Sequence, residues 1–205
     1  MREDNKTKNK KVMIAYPLHD SLYLNITNRC TNACVFCIRQ TENGVGYDLW
    51  LDTEPNVEDL INAIGDPSGY REVVFCGYGE PLLRPDVVVG VSKWLKENQV
   101  RKIRLNTNGL ADLFLDDDIL PELTGLIDVI SISLNAHDSD SYLKLTKSKY
   151  GIGSFEALLD FAKRSMKHFP EVILSVVNYP GVNIKAAEKL ALQIGTEFRV
   201  RDFQS

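Results

Sequence analysis

The sequence predicts an α/β fold built on a parallel sheet, and three observations support this prediction. Short apolar segments of strand length alternate with amphipathic helical segments, which is typical of parallel strands joined by right-handed crossovers. No linker or low-complexity segment interrupts the alternation. A closed eight-fold barrel typically needs about 250 residues, whereas the chain has 205. We therefore expect a partial (βα)6, TIM-like open barrel; a doubly wound open sheet is the alternative that the pattern leaves open.

The predicted elements follow one another in order. Strands are expected at residues 22–27, 73–76, 103–106, 127–134, 172–177 and 198–201, with an additional strand at 12–16 leading in. Helices are expected between them, where apolar residues recur at helical spacing, at 55–64, 87–97, 117–124, 154–168 and 183–194. Ser154 is expected to cap the fourth of these helices, and Gly195 is expected to end the last one.

The composition indicates one globular domain over residues 12–205, preceded by a flexible basic tail at residues 1–11. The net charge of −4 gives no electrostatic signal for nucleic acid. No apolar run approaches the roughly 20 residues that span a bilayer, so no membrane partner is expected. Three of the four cysteines lie within eight positions. This spacing argues against a disulfide framework and favours a reduced, cytoplasmic protein.

Polar residues collect at the predicted carboxyl ends of the strands, where functional residues of parallel α/β folds gather. In the fourth strand, period-two alternation separates an apolar face from a face formed by Ser131, Ser133 and Asn135. Asn106 and Asn108 end the third strand in a similar way. A purely structural barrel fills its interior with bulky apolar side chains. The polar face therefore predicts a polar ligand inside the barrel.

The clearest chemical signal is the spacing C-x3-C-x2-C formed by Cys30, Cys34 and Cys37. Three thiolates this close share a soft ligand, and the candidates are an iron–sulfur cluster, zinc or Cu(I). A structural zinc site normally has four protein ligands, and no fourth ligand follows at a zinc-finger spacing. Three cysteines on a four-iron cluster leave one iron open for an exchangeable ligand. The spacing alone favours the cluster and leaves a zinc-stabilised α/β binding module open.

The octet Cys30–Cys37, with Phe36 before its last cysteine, resembles the signature loop of the radical S-adenosylmethionine (radical SAM) enzymes. The resemblance continues along the chain. The segment at 77–81, Gly-Tyr-Gly-Glu-Pro, resembles the family's glycine-rich GGEP segment, with a tyrosine where glycine is common. The segments at 105–109 and 131–135 resemble the TNG and SLD strand ends of the same family.

This resemblance implies a 4Fe–4S cluster ligated by Cys30, Cys34 and Cys37, whose open iron holds S-adenosylmethionine. One electron from the reduced cluster cleaves the cofactor to methionine and a 5′-deoxyadenosyl radical, which abstracts hydrogen from a substrate. An external one-electron reductant of the flavodoxin or ferredoxin type is implied as a partner. By the same resemblance, the cofactor-binding residues are Phe36, Gly77, Tyr78, Gly79, Glu80, Asn106, Asn108, Ser133 and Asn135.

Within the family, four cysteines leave too few ligands for a second cysteine-bound cluster, which argues against auxiliary-cluster enzymes such as the molybdenum-cofactor cyclase. The segments 23–39 and 75–81 most resemble the TatD-associated radical SAM proteins. That resemblance implies a chemistry with an unidentified substrate, and it suggests a TatD-family hydrolase as a partner. A protein that binds the cofactor and regulates such a hydrolase without its own turnover is a further alternative.

Two other features carry hypotheses from the residues alone. Cys76 ends the second strand on the side facing the interior, and it is the one catalytic candidate, as a hydrogen donor or modulator of the site. The alternative is a small buried hydrophobe, as free cysteines usually are. Arg199 and Arg201 share one face of the last strand. They either meet an anionic group of the substrate or cofactor or protect an exposed edge strand with their charge.

Overall fold

The computed structural model describes residues 13–41 and 44–203, and the tail predicted at 1–11 lies outside them. Its central feature is one sheet of seven strands that are neighbours in chain order. β1 pairs antiparallel with β2, and every later pair is parallel. The strands are β1 (Ala15–Leu18), β2 (Ser21–Leu24), β3 (Glu72–Phe75), β4 (Ile103–Thr107), β5 (Val129–Ser133), β6 (Glu171–Asn178) and β7 (Glu197–Asp202).

This strand order decides between the two architectures that the sequence allows. A doubly wound sheet reverses its order at a switch point, whereas here each βα unit adds its strand beside the previous one, as in a barrel. Among the described residues, β1 pairs only with β2 and β7 only with β6, so the barrel is open. The predicted open barrel of six parallel strands, with one strand leading in, is confirmed.

Seven helices connect the strands in the described part of the chain, and none of them is long and apolar enough to cross a membrane. They are α1 (Val57–Ile64), α2 (Pro85–Glu97), α3 (Ala111–Leu115), α4 (Leu120–Leu123), α5 (Ser139–Thr146), α6 (Ser154–Ser165) and α7 (Ile184–Ile194). The sequence did not predict α3 or α5. Gly195 ends α7 in the left-handed conformation, at φ 94°, as predicted.

The expectation that Ser154 caps α6 is wrong. A 3-10 turn at Gly151–Gly153 continues directly into the helix, because Gly153 already has helical backbone angles. Ser154 therefore lies inside the first turn, and its hydroxyl donates to the carbonyl oxygen of Gly151 at 2.6 Å.

Alternation along the strands gives the sheet an apolar outer face and a polar inner face. In β5, Ile130 and Ile132 are fully buried in the hydrophobic cluster shared with the helices, while Ser131 lines the interior. In β4, Leu105 is fully buried and Asn106 lines the interior. The predicted period-two division is thus present, and the inner face differs from the apolar filling of a purely structural barrel.

A buried ion pair lies near the amino-terminal ends of the strands. Arg104 Nη2 contacts Glu72 Oε1 at 2.9 Å, and the two side chains are 10% and 9% exposed. Arg104 also donates to the hydroxyl of Tyr23 at 3.1 Å, and Ser21 donates to the same Glu72 oxygen at 3.2 Å. A buried charge without its partner is strongly unfavourable. The network therefore holds Arg104 and Glu72 in place at the amino-terminal end of the barrel interior, which we call its floor.

Candidate functional site

The three cysteines lie in the loop that follows β2, at the carboxyl end of the sheet, and their thiols are free and half-buried. Contacts with the end of α5 fix the backbone of this loop. The N–H groups of Ala33 and Val35 donate to the carbonyl oxygens of Thr146 and Leu145, each at 2.9 Å. The last carbonyls of a helix have no partner within the helix. The loop and the helix end thus satisfy each other's backbone groups.

Amide donors lie close to the first cysteine. The backbone nitrogen of Asn32 is 3.5 Å from Cys30 Sγ, and the side-chain nitrogen of Asn108 is 3.8 Å from it. Asn108 also donates to Thr31 Oγ1 at 2.9 Å. Burial raises the pKa of the Cys30 thiol, and burial together with the neighbouring cysteines raises the pKa of Cys34 to about 12. Without a metal, these raised pKa values favour the protonated thiols. A bound iron centre reverses this preference, because metal ions bind the thiolate.

Within residues 13–41 and 44–203, no three His, Cys, Asp or Glu side chains are close enough together to hold a single metal ion. The zinc alternative requires such a group, normally of four ligands. An iron–sulfur cluster differs, because each cysteine binds a different iron atom and the sulfurs need not meet at one point. Three free thiols in one loop are the kind of ligand set that such a cluster uses.

The glycine-rich segment after β3 packs tightly against the end of β2. A Cβ atom at Gly77 would lie 2.0 Å from Asn25 Oδ1, and one at Gly79 would lie 2.4 Å from the carbonyl oxygen of Thr27. Asn25 Oδ1 also accepts a hydrogen bond from the backbone N–H of Tyr78 at 3.2 Å. The family resemblance assigned Gly77 and Gly79 to cofactor binding. The structure shows that the approach of two backbone segments already requires them.

The Glu80 carboxylate points into the protein, toward the end of β4. It accepts hydrogen bonds from Thr107 Oγ1 at 2.7 Å, from the Asn108 N–H at 2.7 Å and from the Leu82 N–H at 3.1 Å. Glu80 is 4% exposed, and burial raises the pKa of its carboxyl to about 7. Its N–H donates to the Arg29 carbonyl at 2.8 Å. These contacts give Glu80 a positioning role between the glycine-rich segment and the cysteine loop. Cofactor binding at this residue stays a prediction.

Phe36 belongs to an aromatic cluster on the other side of the cysteine loop. It is 8% exposed, and its ring centroid lies 5.5 Å from that of Tyr179. Tyr179 in turn contacts Phe203 edge-on at 5.0 Å. These two residues follow β6 and β7, so the cluster ties the cysteine loop to the last strands. The predicted contact of Phe36 with the cofactor stays a prediction.

Ser133 and Asn135 lie together at the end of β5 and share one partner. Arg201 Nη2 donates to Ser133 Oγ at 3.3 Å and to Asn135 Oδ1 at 3.4 Å. Asn135 has a positive φ of 56°, and its Oδ1 also accepts the N–H of Val177 at 3.3 Å. The sequence left open whether Arg201 faces inward or protects an exposed edge strand. Its link to these two residues was not predicted, because it depends on how β5 and β7 curve toward each other.

Cys76 and Asn106 end the neighbouring strands β3 and β4 and line the same interior cavity. Burial raises the pKa of the Cys76 thiol. Asn106 Oδ1 is buried and has no hydrogen-bond partner among the described residues. Tyr16 fixes the backbone here, because its hydroxyl donates to the Cys76 carbonyl at 2.9 Å. Of the two predicted asparagines of β4 and its loop, Asn106 thus faces the interior and Asn108 faces the cysteine loop.

Comparison with known proteins decides the family. Residues 24–194 match the family model described as the Radical SAM superfamily. The chain belongs to this superfamily. A GTP 3′,8-cyclase of Lactiplantibacillus plantarum is 32% identical to this radical SAM protein over 170 residues, which cover 81% of the chain and 48% of the cyclase. The chain therefore spans about half the length of the curated relatives that it matches.

Solved structures show the same fold at low sequence identity. SuiB of Streptococcus suis superposes with a TM-score of 0.67 at 16% identity, over 91% of this chain and 40% of SuiB. Native anSMEcpe with bound AdoMet superposes with a TM-score of 0.65 at 14% identity, over 89% of this chain and 51% of that protein. The partial barrel is therefore the fold that this radical SAM chain shares with them.

Membership of the radical SAM superfamily brings a 4Fe–4S cluster and S-adenosylmethionine as cofactors. The donor set of this chain fits the cluster, because three free thiols lie in one loop and soft sulfur ligands suit iron–sulfur clusters. At the end of β5, the side chains of Ser133 and Asn135 offer polar groups to S-adenosylmethionine. The residues present thus fit both groups.

Proposed function

We propose that this chain is an enzyme that uses a three-cysteine 4Fe–4S cluster to cleave S-adenosylmethionine reductively, so that a 5′-deoxyadenosyl radical acts on an unidentified substrate. One observation carries the proposal: the cysteine loop and the glycine-rich segment pack on each other at the carboxyl end of an open barrel. A Cβ atom at Gly79 would lie 2.5 Å from the carbonyl oxygen of Arg29, the residue before Cys30. Ligands of parallel α/β folds bind at this end of the sheet.

Each element of the site has a proposed role. Cys30, Cys34 and Cys37 ligate the cluster, and the backbone of the glycine-rich segment receives the amino group of the cofactor. Ser133 and Asn135 hydrogen-bond its polar groups. The bound cofactor supplies a carbon radical when an external reductant of the flavodoxin or ferredoxin type delivers one electron. The protein itself supplies binding, orientation and the exclusion of water.

The substrate is a separate question. GTP is named for the cyclases, and the matched region covers about half of their length, so GTP is here a candidate substrate to be tested. The segments 23–39 and 75–81 support a finer proposal, membership of the TatD-associated radical SAM proteins, with a TatD-family hydrolase as the partner. That partner has no support from the contacts within this chain.

Anaerobic reconstitution with iron and sulfide tests the proposed function. The wild-type protein should become brown, absorb near 400 nm (about the usual region for such clusters), and release 5′-deoxyadenosine when dithionite and S-adenosylmethionine are added. Cys37→Ala should lose both properties, and Cys76→Ala should keep the absorption. A colourless protein holding one zinc ion would instead support the zinc-stabilised module. A cluster that binds the cofactor without releasing 5′-deoxyadenosine would support the regulator.

A further inference from the structure

The barrel interior contains a polar cavity below the strand ends. Its volume is about 650 Å³, which is in the range of small-molecule sites. Cys76, Asn106, Ser131 and Arg201 line the part nearest the cysteine loop. The Arg104–Glu72 ion pair lines the opposite part. A molecule in this cavity would therefore lie between the floor of the barrel and the proposed cofactor site.

The charges that line the cavity do not cancel. Among its lining residues are four arginines and two carboxylates, Arg71, Arg104, Arg199, Arg201, Asp20 and Glu72. Arg104 pairs with Glu72 at 2.9 Å, and Arg71 pairs with Asp20 at 3.1 Å. Four arginines less two carboxylates leave two positive charges. Arg199 and Arg201 form no ion pair with the carboxylates of this lining, and the excess charge is on β7.

Several polar atoms of the same lining have no partner. Among the described residues, Arg104 Nε, Arg201 Nε and Asn106 Oδ1 are buried without a hydrogen bond. Arg104 is 8% exposed. Buried polar groups in folded proteins are almost always satisfied, by protein, by water or by a ligand. The unsatisfied set consists of two cationic donors and one neutral acceptor, which matches a ligand with an anionic group and a hydrogen-bond donor.

The contacts of Arg201 also decide between the two roles considered for this residue, contact with an anionic group and protection of an exposed edge strand. A residue that only protects an edge strand points its charge into solvent. Arg201 instead turns inward and contacts Ser133 and Asn135. Arg199, two residues earlier on the same face, is exposed but lines the cavity. The two guanidinium groups thus occupy the cavity wall at different depths.

We propose that the substrate is a small molecule with a carboxylate or phosphate group, which Arg199 and Arg201 bind, and with a hydroxyl or amine that donates to Asn106 Oδ1. The planar fork of an arginine matches both kinds of anion. This inference rests on the proposed function, because it places the substrate next to the residues assigned to the cofactor. It disfavours a macromolecular substrate that could not enter a cavity of this size.

Binding of simple anions tests the site without knowledge of the substrate. Inorganic phosphate and malonate are titrated separately into the anaerobically reconstituted protein by calorimetry, at an ionic strength held constant with chloride. We expect saturable binding of at least one anion in the wild type. Arg199→Gln and Arg201→Gln should each weaken it at least tenfold. Arg101→Gln is the matched control, because Arg101 is exposed and does not line this cavity, and it should bind as the wild type does.

Equal affinity in the wild type and in Arg199→Gln would overturn the inference, and Arg199 is exposed enough that its loss should not unfold the protein. An equal loss in Arg101→Gln would also overturn it, because binding would then reflect general surface charge. If Arg201→Gln weakens S-adenosylmethionine binding and leaves anion binding unchanged, Arg201 serves the cofactor and the inference is wrong. Release of 5′-deoxyadenosine is measured in the same samples. Anion binding without release of 5′-deoxyadenosine would contradict the proposed function but not the anion site. Release of 5′-deoxyadenosine without anion binding would contradict the anion site but not the proposed function.

Discussion

Replacing Glu80 with glutamine should change the dependence of stability on pH. The Glu80 carboxyl is almost fully buried, and burial raises its pKa from the ordinary 4.5 to about 7. A carboxyl with a higher pKa in the folded state stabilises the fold below the unfolded pKa, and this contribution disappears as the pH rises through the folded pKa. The wild type should therefore lose stability between about pH 4.5 and about pH 7. The Glu80→Gln variant should not show this loss, because an amide side chain does not ionise.

The magnitude follows from the same two pKa values. Each pH unit between them corresponds to 1.36 kcal/mol, so the total is about 3 kcal/mol. Relative to the wild type, Glu80→Gln should gain about 3 kcal/mol of unfolding free energy between about pH 4.5 and about pH 8. The absolute difference at one pH also contains the rearranged hydrogen bonds to Thr107 and Asn108. The change with pH isolates the ionisation of the carboxyl.

Urea unfolding of the metal-free protein at several pH values, with a chelator present, measures this change. Glu122→Gln removes an exposed carboxyl on α4 and is the matched control for the loss of one acidic group. The control should follow the wild-type curve. A difference between Glu80→Gln and the wild type that stays constant with pH would refute the argument, because the pKa of Glu80 would then be the same in the folded and the unfolded protein.

Three further predictions concern the loop, the ligands and the cluster. Gly79→Ala should cost about 1–3 kcal/mol of unfolding free energy, as overpacking typically does. Gly153→Ala is the control, because a Cβ there meets nothing within 4 Å. Equal urea midpoints for the two variants would contradict the close approach of Gly79 to the end of β2. Cys37→Ala should abolish cluster absorption and Cys76→Ala should retain it; the reverse would move the ligand set to Cys76. Asn108→Ala removes an amide donor from the first cysteine sulfur, and such donors stabilise the more negative, reduced cluster. Its reduction potential, titrated by electron paramagnetic resonance, should therefore fall, and an unchanged potential would exclude this hydrogen bond.

The fold was predictable, and the metal ligands could be proposed, because both signals are local. Period-two alternation in segments such as 129–134 fixes which side chains face the helices, and alternation of strand and helix fixes the order of the sheet. The cysteine spacing is likewise a property of eight consecutive residues. A sequence contains such patterns whatever the tertiary structure, so they can be identified without it.

The contacts that hold the site in place were not predictable, because they join segments that are distant in the sequence. Helix α5 is short and polar, and its role is to receive the N–H groups of Ala33 and Val35, more than one hundred residues earlier. The direction of the Glu80 carboxylate is likewise set by donors at Thr107 and Asn108 on another strand. The glycine-rich pattern marked its segment as a candidate cofactor contact, but it did not show that the close approach of Asn25 requires Gly77.

The most direct measurement for the central claim is the product of S-adenosylmethionine in the reconstituted protein. Chromatography of a reaction with dithionite should show 5′-deoxyadenosine and methionine in equal amounts from the wild type and neither from Cys37→Ala. A wild-type protein that carries the cluster and binds the cofactor, yet forms no 5′-deoxyadenosine above the level of Cys37→Ala, would contradict the account.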